Sequence, residues 1–422
     1  MNNFFRVNHN SSKSKARLGE IKTDHGVIKT PAFLAAATKG TIKTLSPQQV
    51  KEIGIQGACV NTYHLVTHPG ADVIEKAGGI QKYSNLNIFT MSDSGGFQVF
   101  SLARAGKTRG EEEPFVIKIS DDGVKFRSTF DGTIIEFTPE KSMEFQRKIG
   151  ADINMAFDEC TYYPATHEYA EKAMKRTHEW LDRCIKYKKN LQFTIPNLQS
   201  KTNDPMINEN LNIENSLKNE NCKLKINQYL YGVIQGGTYE DLRKKSAEFV
   251  ISQDTPGVAI GGVSVGETKA EMREQVRWVS DYLPKNRPVH LLGVGQIDDI
   301  IDLVKYGVDT FDCVEPTRLA RMGILYKIFN FQFSIFNKNE KFKMKNKKSG
   351  EIDINKSIYK NDFNPIVKNC QCYTCLNFTR SYLHHLFKQR EILGYTLATC
   401  HNLWVMEKLF EGIREMISKD LI

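Results

Sequence analysis

The segment from Tyr229 to Gln235 reads YLYGVIQ, a continuous apolar run that ends on a polar side chain. Outward from it in both directions, short runs of the same kind alternate with longer stretches of helical periodicity. Continuous apolar runs separated by helices are typical of parallel strands that are buried on both faces. The seven other predicted strands are Pro31–Ala36, Gly57–Asn61, Ile88–Asp93, Ile153–Asp158, Gly257–Gly262, Val289–Gly295 and Val308–Asp312.

Helices are predicted between these runs. Ser46-Pro47 and Thr138-Pro139 each begin a helix, because a hydroxyl cap followed by proline suits the first helical turn. The other predicted helices are His167–Tyr187, Thr268–Leu283 and Gln296–Tyr306. Eight strands that alternate with helices predict an α/β fold, a (β/α)8 TIM barrel, with a doubly wound open sheet as the alternative. A barrel gathers functional groups at the C-terminal strand ends, where several runs end on Asn, Asp, Gln or Gly.

The composition is that of an ordinary globular protein, with 25% of the 422 residues charged and 40% hydrophobic. No apolar run reaches the ~18 residues that a membrane helix needs, and no signal-peptide stretch is evident at the start. We therefore expect a cytoplasmic protein without a membrane partner. The net charge of +9 arises largely after Ile324, where 16 Lys and Arg face 9 Asp and Glu. This basic region indicates either a polyanion partner or a solvated lysine-rich loop.

Two segments look inserted into what is otherwise a single barrel domain spanning residues 1–422. Residues 190–227 contain ten asparagines and little apolar periodicity, and residues 337–350 read NKNEKFKMKNKKSG. Segments of this composition bury too little apolar surface to join a core. Both are therefore predicted to be exposed loops.

Three of the nine cysteines lie together as Cys370-x-Cys372-x-x-Cys375. An odd number of cysteines argues against a fully paired disulfide framework. Three thiolates joined by an imidazole match the closed tetrahedral site of a structural zinc ion. We predict a zinc-binding subdomain over residues 365–405, near the C-terminus.

The fourth zinc ligand is chosen among several neighbouring side chains. His401 lies 26 residues after Cys375, and a helix from Arg380 to Glu391 would let the chain return to the cysteines. His401 is therefore the preferred ligand. Cys400 is the next candidate, and His384 and His385 are nearby.

Seven ordered motifs resemble those of tRNA-guanine transglycosylases. Ser92–Gln98, SDSGGFQ, resembles the signature loop of that family, and the spacing of the three cysteines and His401 matches its zinc site. The resemblance covers roughly residues 15 to 415, interrupted by the two inserted segments. The other motifs are Asn61–Leu65, Phe157–Cys160, Val233–Gly237, Gly261–Glu267, Leu292–Gly295 and Phe311–Arg318.

The resemblance implies a barrel with one structural zinc ion per chain that exchanges a base in tRNA without ATP. Guanine at the wobble position (34) of GUN-anticodon tRNAs would be replaced by a 7-deazaguanine base, a step in queuosine modification. The RNA partner would be an anticodon loop containing UGU. The family also implies a homodimer, with the zinc region near the partner.

Two carboxylates are implied to carry the chemistry. Asp312 would attack C1′ of the ribose and expel guanine, and Asp93 would act as general acid and base on the leaving and incoming bases. Replacing one base by another on the same face of the sugar takes two inversions, hence a covalent intermediate. The nucleophile must stay ionised while the second carboxylate changes its protonation state, which two different environments allow.

The base pocket is assigned from the same motifs. Asp158 resembles the family residue that accepts from guanine N1 and the exocyclic amine. Gln235 and the Gly262 N–H would meet O6, and Leu292 and Phe97 would sandwich the ring.

Asn61, Val265 and Cys160 complete the predicted substrate pocket. Valine and cysteine at the last two positions resemble the bacterial form of the family, which uses 7-aminomethyl-7-deazaguanine. The eukaryotic form usually has glycine and valine there and uses queuine, whose cyclopentenediol needs more room. The aminomethyl base is therefore the expected substrate, with queuine as the alternative.

RNA contacts are expected directly after the proposed nucleophile. Arg318 and Arg321 match the family loop that lies on the anticodon phosphates. The family usually has a small polar residue at the position of Leu319 and Asn or His at the position of Met322. This sequence departs from the pattern at both positions but retains both arginines. The target base must also be unstacked into the pocket, which is easiest from a single-stranded loop.

Two other functions fit parts of the sequence. A non-catalytic RNA-binding partner subunit of the same fold would be expected to lose one of the two carboxylates, yet Asp93 and Asp312 are both present. A barrel metal-hydrolase would need histidines and carboxylates gathered at strand ends, and only His64 and His290 lie near such ends. Base exchange on tRNA is therefore the predicted activity.

Overall fold

The protein is represented by a computed structural model that describes residues 4–96, 116–128, 130–198, 227–327 and 350–422. Within these ranges the strands are β1 (Phe5–Asn10), β2 (Arg17–Thr23), β3 (Gly26–Thr30), β4 (Ala32–Ala36), β5 (Gly57–Val60), β6 (Phe89–Ser92), β7 (Val116–Ser120), β8 (Gly123–Arg127), β9 (Ile134–Phe137), β10 (Ile153–Met155), β11 (Tyr229–Ile234), β12 (Gly257–Ile260), β13 (Val289–Leu291), β14 (Thr310–Cys313), β15 (Ile324–Tyr326) and β16 (Glu351–Asp353).

The α-helices of the same ranges surround these strands. They are α1 (Pro47–Ile53), α2 (Thr62–Thr67), α3 (Ala71–Lys76), α4 (Ile80–Ser84), α5 (Pro139–Ile149), α6 (His167–Leu198), α7 (Glu240–Ser252), α8 (Lys269–Val279), α9 (Ile297–Leu303), α10 (Glu315–Arg321), α11 (Tyr373–Asn377), α12 (Arg380–Gln389) and α13 (Ile392–Ser418). None of them combines the length and the apolar character needed to cross a bilayer.

All eight predicted strands form, and they close into a parallel barrel in the order β10-β11-β12-β13-β14-β4-β5-β6. The last strand in sequence, β14, pairs with the first, β4, with Phe311 opposite Phe33. The predicted (β/α)8 barrel is therefore confirmed. The doubly wound alternative is wrong, because an open sheet would leave two strand edges unpaired.

The predicted helix starts of α1 and α5 carry their caps. Ser46 accepts from the backbone N–H of Gln49 and forms a reciprocal capping box, which satisfies amide groups that the first turn leaves free. Thr138 accepts from the N–H of Lys141 in the same way.

Helix α6 is longer than the predicted His167–Tyr187. It continues to Leu198, and so takes in the first residues of the segment 190–227 that composition predicts to be a loop. Residues 199–226 and 337–349 of the two predicted insertions lie outside the described residues.

A small antiparallel sheet, β1-β2-β3, packs onto the barrel and was not predicted. Its strand β1 alternates half-buried and exposed residues, so it lacks the continuous apolar run of a barrel strand. Ile21 and Ile28 of this sheet share a buried cluster with Leu34, Met91 and Val233 of the barrel strands. The sheet therefore covers apolar surface that the barrel alone would expose.

The C-terminal helix α13 joins the barrel to the region of the three cysteines. Its first turns, including Leu397, belong to a buried cluster that also contains Cys370 and Cys375. Further along, Met406 and Phe410 lie in the main core. The predicted helix from Arg380 to Glu391 is also present, as α12.

A buried ion pair ties β2 to the barrel. Arg17 donates from Nε to Asp309 Oδ1 at 2.9 Å and from Nη2 to Oδ2 at 2.5 Å. The same guanidinium donates to three carbonyl oxygens in the segment 284–287. Asp309 is fully buried and also accepts from the N–H of Val289, so its charge is neutralised inside the protein rather than by water.

We predict that Arg17→Met lowers the free energy of unfolding by about 3–5 kcal/mol, because it leaves the Asp309 carboxylate buried without its partner. Denaturant unfolding followed by fluorescence measures the change. Arg6→Met is the control, since the Arg6–Glu20 pair lies at the surface with the arginine 70% exposed and should contribute little. Equal stability of Arg17→Met and the wild type would contradict the role assigned to this pair.

Candidate active site and metal centre

A cavity of about 730 Å³ opens at the C-terminal ends of the barrel strands. This is where a (β/α)8 barrel presents its functional groups. Phe97, predicted to stack on the base, lies outside the described residues, and Arg321 is not among the residues that line the cavity. The predicted site residues that the structure brings together there are Asn61, Asp93, Asp158, Cys160, Gln235, Gly262, Val265, Leu292, Asp312 and Arg318.

Asp312 lies on β14, with its side chain 20% exposed to the cavity. Its Oδ1 accepts from the backbone N–H of Gly293 at 2.9 Å and lies 3.2 Å from His290 Nε2. His290 is fully buried in β13. Sequence reasoning placed His290 near a strand end but gave it no contact with a carboxylate.

Asp93 follows β6 and is held by a different set of donors. Its Oδ1 accepts from the backbone N–H groups of Thr62 at 2.8 Å and Gly95 at 3.1 Å. Its Oδ2 accepts from the side-chain amide of Asn61. Asn61 is itself fixed as the N-cap of α2, where its Oδ1 accepts from the N–H of His64. Asn61 therefore orients Asp93 in this structure.

The two carboxylates lie in one electrostatic environment around Cys59. Burial, followed by the negative charges of Asp312 and Asp93, raises the pKa of the Cys59 thiol well above its ordinary value. The ligating atoms of Cys59, His290 and Asp312 all lie within 4.8 Å of one another. The structure therefore gathers more functional groups at this strand end than the sequence predicted.

Asp158 is the third predicted carboxylate that lines the cavity, and it is buried. It accepts from Ser94 Oγ at 2.8 Å and from Gln235 Nε2 at 2.7 Å. Burial raises the pKa of this carboxyl group, against the opposing effect of both hydrogen bonds. A buried acceptor already aligned by two donors is suited to recognising a polar ligand edge.

Gly262 brings its backbone close to this group. Its φ is +61°, and a Cβ there would collide with Gln235 Oε1. Buried Arg243 fixes the surrounding loops by donating to the carbonyl oxygens of Gly261 and Gly262 at 2.6 Å, and of Gly237 at 2.7 Å. No sequence motif indicated Arg243, because its partners lie on two separate loops and on helix α8.

Val265 forms part of the wall at one side of the cavity. Its N–H donates to Glu267 Oε2 at 2.9 Å. Val265 also lines a second, very small cavity, which is bounded by Tyr162 and Gly237. Val265 thus lies where the main cavity could be extended. Nearby Cys160 is buried, and burial raises the pKa of its thiol.

A cluster of cations lies beside the cavity wall, to which Arg318 belongs; it is formed by Lys39, Lys43, Arg318 and Arg321. Burial, followed by Arg321 and Lys39, lowers the pKa of Lys43. Burial and Arg318 likewise lower the pKa of Arg321, which donates to its own helix. Burial, then Lys39 and Lys43, also lower the pKa of His64 in the cavity wall. The sequence indicated the two arginines but not the two lysines.

The predicted metal ligands come together away from this cavity. The Nδ1 atom of His401 lies 3.4, 3.5 and 3.9 Å from the sulfur atoms of Cys372, Cys375 and Cys370. Zinc bond lengths in tetrahedral geometry place nitrogen and sulfur ligands about 3.6 Å apart. All four residues are buried, so the cluster can bind one metal ion, consistent with zinc.

His401, rather than Cys400, completes the cluster that could bind the ion. His401 Nε2 lies 2.7 Å from the carbonyl oxygen of Tyr326, which fixes the tautomer that leaves Nδ1 free to ligate. Cys400 is absent from the cluster, and burial raises the pKa of its thiol to about 12.

Comparison with known proteins relates the chain to one family over nearly its whole length. A family model described as Queuine tRNA-ribosyltransferase matches residues 11–422. Curated relatives named Queuine tRNA-ribosyltransferase include one from Thermoanaerobacter pseudethanolicus, 40% identical over 99% of this chain and 94% of the relative. Another, from Caldanaerobacter subterraneus subsp. tengcongensis, is 41% identical with the same coverage. One from Synechococcus elongatus is 38% identical over 99% of this chain and 91% of its own.

We predict that Cys375→Ser abolishes stoichiometric zinc binding and lowers the midpoint of thermal unfolding, because a structural site contributes its binding free energy to folding. Elemental analysis after dialysis, together with a thermal melt, measures both effects. Cys400→Ser is the matched control, a buried cysteine one residue from His401 that should retain the metal. Equal zinc loss in the two variants would show that the ligand assignment is wrong.

Proposed function

Because the chain belongs to the tRNA-guanine transglycosylase family, whose curated members are named queuine tRNA-ribosyltransferase, we propose that this enzyme replaces guanine at the wobble position of GUN-anticodon tRNAs. The incoming base is 7-aminomethyl-7-deazaguanine. The observation that carries the proposal is that Asp312 and Asp93 line one cavity at the strand ends, each held by its own hydrogen-bond donors.

The reaction proceeds in two displacements at C1′ of the ribose. An Asp312 oxygen forms a bond to C1′ as the bond from C1′ to guanine N9 breaks. Asp93, acting as general acid, donates a proton to the leaving base. Asp93 then takes the proton of the incoming base, whose N9 attacks C1′ and releases the Asp312 carboxylate. Two inversions restore the original face of the sugar, and no external energy source is consumed.

Base recognition uses the buried acceptor and the glycine loop. Asp158 accepts from guanine N1–H and the exocyclic amine, and the Gly262 N–H and Gln235 meet O6. The carboxyl pKa of Asp158 is raised by burial, so an arriving base that donates two hydrogen bonds favours its ionised form. Leu292 at the cavity wall contacts the ring face.

The RNA backbone lies on the cation cluster at the cavity mouth. Arg318 and Arg321, joined by Lys39 and Lys43, place four positive side chains where phosphates of an anticodon loop would pass. The target base leaves the loop and enters the cavity, which is large enough for a single base with its sugar.

Zinc serves the fold in this proposal. When bound, it supplies a cross-link between the three cysteines at and before α11 and helix α13, and the closed ligand set leaves no position for substrate. The zinc-binding region also lies near the partner subunit of a homodimer. A non-catalytic subunit is disfavoured, because both carboxylates are present and fixed in the cavity.

We predict that anticodon-stem-loop RNA containing UGU forms a covalent adduct with the wild-type enzyme and exchanges labelled guanine. Asp312→Asn should form no adduct, because an amide is a poor nucleophile. Asp93→Asn should slow exchange by about 10²- to 10⁴-fold, the usual contribution of a general acid or base. Denaturing gels and guanine release measure the two steps.

The control for both variants is Asp281→Asn, whose carboxylate is 85% exposed and pairs with Lys15. It should exchange guanine at the wild-type rate. Wild-type protein that binds the RNA but exchanges no base would contradict the proposal and favour the non-catalytic subunit.

We predict that a Val265→Ala→Gly series progressively raises the use of queuine relative to the aminomethyl base. Each step removes methyl groups from the wall between the main cavity and the small cavity beyond it. Discrimination should fall by about tenfold or more across the series, the usual effect of one or two methylene groups in a pocket. Competition between the two bases in RNA incorporation measures the ratio. Queuine incorporation by the wild type at a comparable rate would overturn the assignment.

A further inference from the structure

The buried imidazole of His290 contacts the carboxylate of Asp312, the proposed nucleophile. Strands β13 and β14 pair with His290 opposite Thr310, and Asp312 is two residues further along β14, on the same face. His290 Nδ1 is 2.9 Å from Thr310 Oγ1, and Nε2 is 3.2 Å from Asp312 Oδ1. The register of the barrel therefore places threonine, histidine and aspartate in a continuous chain of contacts.

The direction of these hydrogen bonds follows from the chemistry of the groups. An ionised carboxylate can only accept, so the hydrogen between His290 and Asp312 belongs to Nε2. In the neutral imidazole, Nδ1 is then the acceptor, and the Thr310 hydroxyl must donate to it. The Thr310 hydroxyl, which can donate or accept, thus fits the tautomer that the carboxylate selects.

We propose that His290 is a positioning residue that makes Oδ2 the attacking oxygen of Asp312. This inference rests on the proposed role of Asp312 as the nucleophile. His290 Nε2–H and the Gly293 N–H both donate to Oδ1. Within the part of the chain that the structure describes, no hydrogen bond reaches Oδ2. Oδ1 is therefore fixed by two hydrogen bonds, and Oδ2 keeps its lone pairs available to a substrate in the cavity.

This arrangement serves both displacements. Attack requires a carboxylate oxygen aimed at C1′, and two donors, one on β13 and one in the turn that follows it, stop the carboxylate from rotating about its Cβ–Cγ bond. When Oδ2 becomes the ester oxygen, Oδ1 becomes the carbonyl oxygen and keeps both donors. When the incoming base breaks the bond between Oδ2 and C1′, the same donors receive the returning negative charge.

The neighbouring thiol does not replace these donors. Burial and the two carboxylates raise the pKa of Cys59 well above its ordinary value, so the thiol stays protonated and is at most a weak donor. Among the described residues, the donors to Asp312 are therefore the imidazole and the Gly293 N–H.

The test uses a matched pair of amide variants, His290→Gln and His290→Asn. Glutamine places its amide where Nε2 stood and can still donate to Oδ1. Asparagine reaches only the position of Nδ1 and cannot. At saturating anticodon-stem-loop RNA, single-turnover adduct formation should be about 10- to 100-fold slower in His290→Asn, the scale of a misplaced reacting group. His290→Gln should recover most of that loss, while the Kd for RNA stays unchanged in both variants.

A third variant, His384→Asn, controls for the loss of a buried imidazole. His384 is buried, contacts the carbonyl oxygen of Ile354 and lies outside the cavity, so its adduct rate should match the wild type. Equal adduct rates for His290→Gln and His290→Asn would overturn the inference. Absence of an adduct in the wild type would instead overturn the proposed function, so the two failures are distinguishable.

Discussion

Closure of the barrel between β14 and β4 is the constraint on which the rest of the structure depends. Four residue pairs, from Thr310 opposite Ala32 to Cys313 opposite Ala35, join the last strand to the first. Because every strand of a closed parallel barrel points the same way, its C-terminal ends form one ring. Residues that are more than 200 positions apart, such as Asp93 and Asp312, thereby line the same cavity. The ion pair of Arg17 with Asp309 lies immediately before β14 and stabilises this closure from the opposite end.

The three predicted carboxylates of the cavity are chemically alike but are held in different surroundings. Asp93 is held by two backbone N–H groups and an asparagine amide, Asp312 by a backbone N–H and an imidazole, and Asp158 by a hydroxyl and an amide. Burial raises the pKa of the Asp158 carboxyl group. A nucleophilic carboxylate must stay ionised, whereas a general acid and base must change its protonation state. Different donors supply those environments within one cavity.

The sequence predicted the barrel well because its strands are buried on both faces and therefore read as continuous apolar runs. It did not predict β1, whose residues alternate between half-buried and exposed, or α13, whose apolar residues lie on all sides between two cores. At the site, ordered motifs indicated Asp93, Asp158 and Asp312, because these residues stand at strand ends. Arg243, His290, Lys39 and Lys43 were missed because their importance comes from contacts between distant segments. No local pattern indicates that Arg243 donates to two loops and to helix α8.

The metal cluster and the proposed active site are connected through the segment that follows Asp312. Asn402, next to the ligand His401, accepts from the N–H of Tyr326 at 3.0 Å and donates to the carbonyl oxygens of Pro316 and Ile324. Helix α10, which carries Arg318 and Arg321, lies in the sequence between β14 and β15, the strand that contains Ile324 and Tyr326. A metal ion that fixes His401 therefore also fixes the helix that carries the two arginines of the cation cluster. Since polar groups buried at such a junction are costly to leave unpaired, loss of the metal should loosen this helix before it disturbs the barrel. A metal bound away from the cavity can in this way control how the two arginines are held beside it.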